Sequence, residues 1–162
     1  MPLIHLVTEI NAPIKRCFDL SCSIDLHMIT TSKTKERAIA GRTTGLVEEG
    51  DTVTWEATHF RKRQRLGSKI TSVKSPTYFA DEQIFGAFKR FHHEHIFEEQ
   101  EGKTIMTDKF DYTAPMGILG KLANLLFLKD YMKGFLKQRN LIIKEFAETS
   151  KWKEIPGMVG NS

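Results

Sequence analysis

Between Phe79 and Glu99 the chain reads FADEQIFGAFKRFHHEHIFEE. It alternates with the period of a β-strand, and the face that carries Phe91 and Phe97 also carries His93 and His95. The alternation that groups Phe79 with Phe85 likewise includes Asp81 and Gln83. Titratable groups on an apolar face have three chemistries open to them. His93 and His95, two residues apart on one strand, could ligate a metal together with a carboxylate. A histidine polarised by Asp81 or Asp108 could serve as a general base. Alternatively, the same groups could anchor the polar end of a largely apolar ligand in a pocket wall.

Hairpin register decides which groups meet. A three-residue turn centred on Ala87 pairs Gln83 with Phe91, Asp81 with His93, and Phe79 with His95. A turn around Gln100 and Glu101 pairs Phe91 with Phe110, His93 with Asp108, and His95 with Met106. With opposed Cβ atoms ~5 Å apart, this register sets His93 between Asp81 and Asp108 on three adjacent strands. A nearby cation would help such a row satisfy itself. Arg139 could supply that cation by pointing inward, or snorkel outward instead. His59 lies several strands away and no ligand-rich loop assists, so no metal is expected. A nucleophile, an oxyanion hole and a cofactor motif are all missing, so no cofactor is expected and catalysis stands behind binding.

The preferred expectation is therefore a pocket, compatible with a polar core network beneath it. Its apolar wall is assigned to Trp55, Phe79, Phe91, Phe110 and Tyr112, with Leu128, Met132 and Phe135 from a helix. Asp81, Gln83, His93 and Asp108 would orient a head group, and His59, His95 and Arg139 complete the assigned lining. The occupant is expected to be a hydrophobic or amphipathic small molecule. The rival functions are a cyclase, dehydratase or hydrolase using His93 with Asp81 or Asp108, and a protein-interaction module.

The elements that must position these groups follow in a clear order. LIHLVTEI (3–10) reads as a strand, and Pro13 fits the first turn of a short helix whose buried stripe is Ile14, Cys17, Phe18 and Ser21. Ser23 is placed to cap a second short helix. Strands and turns then run from about residue 35 to 112. Val53, Trp55, Ala57 and His59 share one face, as do Gln64, Leu66, Ser68 and Ile70. Pro115 and Gly117 end the strands. A proline-free helical stretch continues to Glu148, with Gly120 and Gly134 as sites for a bend. Leu128, Met132, Phe135, Arg139, Ile142 and Phe146 make one helical stripe.

Strand, two short helices, six strands and a long C-terminal helix is the order of the helix-grip fold. On INAPIKRCFDL (10–20), GDTVTWEATHF (50–60), the stretch 69–97 and TIMTDKFDYTAPMGILG (104–120), the sequence resembles the START/birch-pollen-allergen-like superfamily, SRPBCC. The resemblance is nearest to its bacterial polyketide cyclase-like or cell-division-inhibitor-like branch. It implies an α+β domain in which a curved antiparallel sheet of about seven strands grips the helix, often around an apolar cavity. The acid–base residues of the superfamily's aromatic-polyketide cyclases find no matching set here.

One domain over residues 1–150 and a frayed tail at 151–162 are expected. The 24 basic and 20 acidic residues give a net charge of +4, too mild for a nucleic-acid partner. The cluster RKRQR (61–65) reads as a solvated hairpin tip, with transient attraction to anionic membrane lipid as its functional alternative. Cys17 and Cys22 lack metal-ligand spacing and read as packing thiols. With no basic leader followed by a long apolar core at the N-terminus, a cytoplasmic location is expected. Oligomeric state stays open.

Overall fold

The computed structural model describes residues 3–59 and 61–158. Its seven strands form one antiparallel sheet. They are β1 (Leu3–Ile10), β2 (Arg37–Gly41), β3 (Thr52–His59), β4 (Lys62–Lys74), β5 (Tyr78–Phe85), β6 (Arg90–Gln100) and β7 (Lys103–Thr113), in the spatial order β1-β7-β6-β5-β4-β3-β2. Strands β2 to β7 are a meander in which each pairs with the next. β1 closes the far edge against β7. Register shifts at Ala38/Ala40, Gly67/Ser68 and Ile70/Ser72 interrupt the ladders, and such bulges bend the strands that carry them. The sheet curves, leaving a concave side to be covered.

Two short helices, α1 (Ile14–Cys22) and α2 (Ile24–Thr30), follow β1. Pro13 is the cap of α1 rather than part of its first turn. Ser23 caps α2 by accepting a hydrogen bond from the Leu26 amide at 3.0 Å. The covering rod runs from Gly117 to Glu148 as α3 (Gly117–Ala123), a wide π-type turn at Asn124–Leu128, and α4 (Lys129–Glu148). The irregularity therefore falls on NLLFL, not on either glycine. No described helix is long and apolar enough to cross a membrane.

The core divides along the rod. Around its C-terminal half, Phe18, Phe79, Phe97, Met106, Ile143 and Phe146 pack as one cluster. Nearer α3, Ile4, Phe91, Phe110, Tyr112 and Leu136 form a second. Of the tail expected to be frayed, residues 151–158 pack onto the fold, while 159–162 lie outside the described residues. Residues Ser150–Glu154 form a short 3-10 turn, and Ile155 and Met158 are buried in the first cluster. Arg16 fixes this arrangement by donating to the Ala147 carbonyl at 3.0 Å and lying 4.4 Å over the Trp152 ring.

Candidate functional site

The β5–β6 hairpin has the expected register, with Phe79 opposite His95 and Asp81 opposite His93. The next hairpin does not. Its turn is two residues, Glu101 and Gly102, both at positive φ (51° and 80°), closed by the Gln100–Lys103 pair. That is the twist-matched form of a short hairpin. The pairing is therefore shifted by two residues from the expected one. His93 opposes Phe110, His95 opposes Asp108, and Phe91 opposes Tyr112. A shift of two keeps every side chain on its face while changing who touches whom.

The consequence is that His95, rather than His93, sits between the two carboxylates. His95 Nε2 donates to Asp81 Oδ1 at 3.2 Å, and its Nδ1 lies 3.1 Å from Asp108 Oδ1 without hydrogen-bond geometry. Phe79 stacks flat on the His95 ring, with centroids 4.0 Å apart. His93 reaches Asp108 diagonally, donating from Nε2 to Oδ1 at 2.9 Å. The other Asp108 oxygen accepts from Asn140 Nδ2 at 2.7 Å. Arg139 points inward: it is 5% exposed, donates to Asn140 Oδ1 at 3.0 Å, and stands 3.6 Å from Asp108.

These contacts set the charge states. Burial, aided by the neighbouring His95, pushes the His93 pKa down to about 4 despite the Asp108 carboxylate. Burial alone would raise Asp108, yet the hydrogen bond from His93 and the close His95 ring hold it well below the usual range. Asp81 is likewise held below its ordinary value against burial, chiefly through His95. His93 is thus neutral near pH 7. Because a carboxylate can only accept, Nε2 carries the proton and Nδ1 is left as an acceptor.

Above this network, between sheet and α4, lies a cavity of about 320 Å³. β3 contributes Trp55, Ala57 and His59, and β4 contributes Gln64, Leu66 and Ser68. Phe91, His93 and Phe110 line it from β6 and β7. Tyr131, Met132, Phe135 and Leu136 close it from α4, with Leu128 just before. A smaller recess of about 110 Å³ shares Trp55, Asp81, His93 and Phe135, and adds Phe79, His95 and Arg139. A second polar pair edges the main cavity: His59 Nδ1 and the Tyr131 hydroxyl are 2.6 Å apart. Burial lowers the His59 pKa and raises that of Tyr131, so both are neutral near pH 7.

Three assigned residues stand elsewhere. Gln83 braces the β5–β6 turn, donating to the Phe88 carbonyl at 2.7 Å and accepting from its amide at 3.3 Å. Tyr112 is fully buried, and its hydroxyl donates to Asn124 at the wide turn. Asp108, 0% exposed, lies behind His93 rather than on the cavity surface. Conversely, sequence reasoning missed Asn140, Tyr131 and His27, which bonds Glu36 at 2.7 Å and packs against Trp55. Tyr131 could have been found from its i, i+4 relation to Phe135. Asn140 belongs to a second helical row with Leu136, Ile143 and Ala147, adjacent to the expected stripe.

Asp81, His93 and His95 each present one donor atom within 4.8 Å of the others, which among the described residues is the set that could hold a metal. Tetrahedral zinc with bonds of ~2.1 Å would draw such donors to roughly 3.4 Å apart. The Arg139 guanidinium in the same recess also opposes a second cation. Within this set Asp81 accepts from His95, and His93 donates to Asp108.

A curved seven-stranded sheet closed by a C-terminal rod, with a cavity between them, is the helix-grip architecture of the superfamily the sequence resembles. No family model matches the sequence and no curated protein matches it, whereas solved structures match along nearly the whole chain. TTHA0849 from Thermus thermophilus aligns with a TM-score of 0.73 at 16% identity, over 89% of this chain and 95% of that one. Major latex-like protein 151 from Panax ginseng gives 0.67 at 13%, over 91% and 98%. Ara h 8.0201 gives 0.60 at 11%, over 89% and 98%. At these identities the likeness carries the fold and not the ligand.

Proposed function

We propose that the protein binds one hydrophobic or amphipathic small molecule in the cavity between sheet and α4. The observation that carries this reading is the cavity's composition. Its walls are dominated by Trp55, Leu66, Phe91, Phe110, Met132 and Phe135, with few polar atoms turned inward. Specific small-molecule sites are commonly built this way, in cavities of ~300–1,000 Å³. At about 320 Å³ the space suits a compact molecule, a short lipid or a fused-ring polyketide-like compound. His93 Nδ1 and the His59–Tyr131 pair offer hydrogen bonds to its polar end.

The rival reading, an acid–base enzyme using His93, has a specific obstacle. A base with a pKa of about 4 is poorly matched to proton abstraction near neutral pH. Asp108 is spent on His93 and Asn140. The network positions His93 as a fixed neutral acceptor, which suits an anchor.

Native mass spectrometry of protein purified from its host tests the reading. A retained small molecule is expected, lost in Ala57→Trp, which fills the cavity from its β3 wall. Wild-type protein from the host carrying no bound adduct, or the same adduct retained by the variant, would refute it.

A further inference from the structure

The segment just after the sheet has its polarity reversed. Ile118, Leu122 and Leu125 recur at intervals of four and three, and Leu119 and Leu126 flank them on the same face. That spacing normally marks the buried stripe of a surface helix. Here it faces outward. Ile118 is 85% exposed, Leu125 81%, Leu126 67% and Leu119 64%. The opposite side is the one tied to the body. Gly120 lies so close to the Pro115 carbonyl that a Cβ would come within 1.7 Å of its oxygen, and Asn124 accepts from Tyr112. Sheet and glycine thus hold the apolar stripe away from the core. Exposed apolar surface of this continuity marks an interaction site.

Its surroundings are basic. Lys121, Lys129, Lys133 and Lys137 are exposed along the same rod, with Asp130 the one acid among them. The β3–β4 hairpin ends beside it, since His59 contacts Tyr131 and Phe135, and brings exposed Arg61 and Lys62. Arg63 and Arg65, by contrast, pair with Glu56 at 2.9 and 3.2 Å. Outward leucines flanked by lysines complement the interface of an anionic bilayer. A second copy of the chain would set the same positive rim against itself, which disfavours that occupant.

We infer that residues 116–127 dock this protein on anionic lipid bilayers, with the cavity mouth at the membrane surface. Pro115 and Leu128, which bracket the segment, both line the cavity. Docking would therefore set the route between cavity and lipid at the bilayer. Docking itself stands independently of ligand binding; only the exchange route rests on the cavity reading.

The test is flotation of the full chain with vesicles of phosphatidylcholine alone or mixed with phosphatidylglycerol. Binding is expected with the anionic vesicles and should weaken with salt. Leu125→Ser with Leu126→Ser, and separately Lys121→Glu with Lys129→Glu, should each reduce it about tenfold or more. Circular dichroism and uptake of the neutral dye prodan in lipid-free solution should be unchanged in both variants. The inference is overturned if the wild type fails to float with anionic vesicles, or if the leucine variant floats equally well. It is also overturned if the wild type is a dimer that the leucine substitutions dissociate. Absence of prodan uptake by the wild type, with its flotation intact, would sink the cavity reading alone.

Discussion

Replacing Asp108 by asparagine preserves shape and removes one charge from the centre of the network. The native carboxylate accepts from His93 at 2.9 Å and Asn140 at 2.7 Å, and faces Arg139 at 3.6 Å. In Asp108→Asn an amide NH₂ must meet at least one of those donors, and the 5% exposed Arg139 loses its nearest counter-charge. Breaking one side of a buried ion pair costs ~3–5 kcal/mol. For a chain of this length each kcal/mol lowers Tm by ~2–4 °C, so a fall of roughly 6–20 °C is expected. Thermal denaturation followed by circular dichroism measures it. The charge argument makes a sharper claim in the double variant. Adding Arg139→Met should restore part of the loss, with a coupling of ~1–3 kcal/mol. A single-variant Tm within about 3 °C of wild type, or strictly additive effects, would refute the reasoning.

Acid should destabilise the fold from near neutrality. His93, depressed to about 4 from an ordinary 6.5, binds its proton in the unfolded chain first, so its contribution is whole above pH 6.5 and drains away towards pH 4. That window is worth ~3 kcal/mol. Asp108 and Asp81, both lowered, contribute above the ordinary carboxylate range and lose that contribution at still lower pH. His93→Gln should flatten the Tm profile between pH 6.5 and about 4; an unchanged slope there would contradict the assignment. Burial raises the Cys17 pKa to about 11 and the Cys22 pKa further, so both thiols should resist Ellman's reagent until denaturant is added. Rapid labelling of native protein would show them accessible. Tyr131→Phe removes the 2.6 Å bond to His59 and should cost ~1 kcal/mol of stability in chemical denaturation, while a cost above about 3 kcal/mol would mean that pair holds the rod to the sheet.

The order of elements was readable because each signal is local. Alternation marks the strands, Ser23 caps α2, and Pro115 with Gly117 stops β7. The contents of the histidine face were readable too, since a period of two survives any even register error. What escaped was pairing. The turn is centred on Glu101–Gly102, one residue later than the one assumed, and that offset set Asp108 opposite His95 instead of His93. Helical rows escaped in a different way: one stripe hides its neighbour, so Asn140 and Tyr131 were passed over beside Arg139 and Phe135. Gln83 and Tyr112 lie on the right strands but serve a turn and a helix junction, contacts made by atoms distant in sequence. The outward leucines of α3 could not be distinguished from core by spacing alone, because periodicity names a face without saying which way it points.

Fluorescence titration with prodan reads directly whether the cavity takes up an apolar molecule. Blue-shifted emission should saturate at one dye per chain, be competed by other compact apolar molecules, and be abolished in folded Ala57→Trp. Emission unchanged by the protein, or equally enhanced by the filled variant, would contradict that uptake.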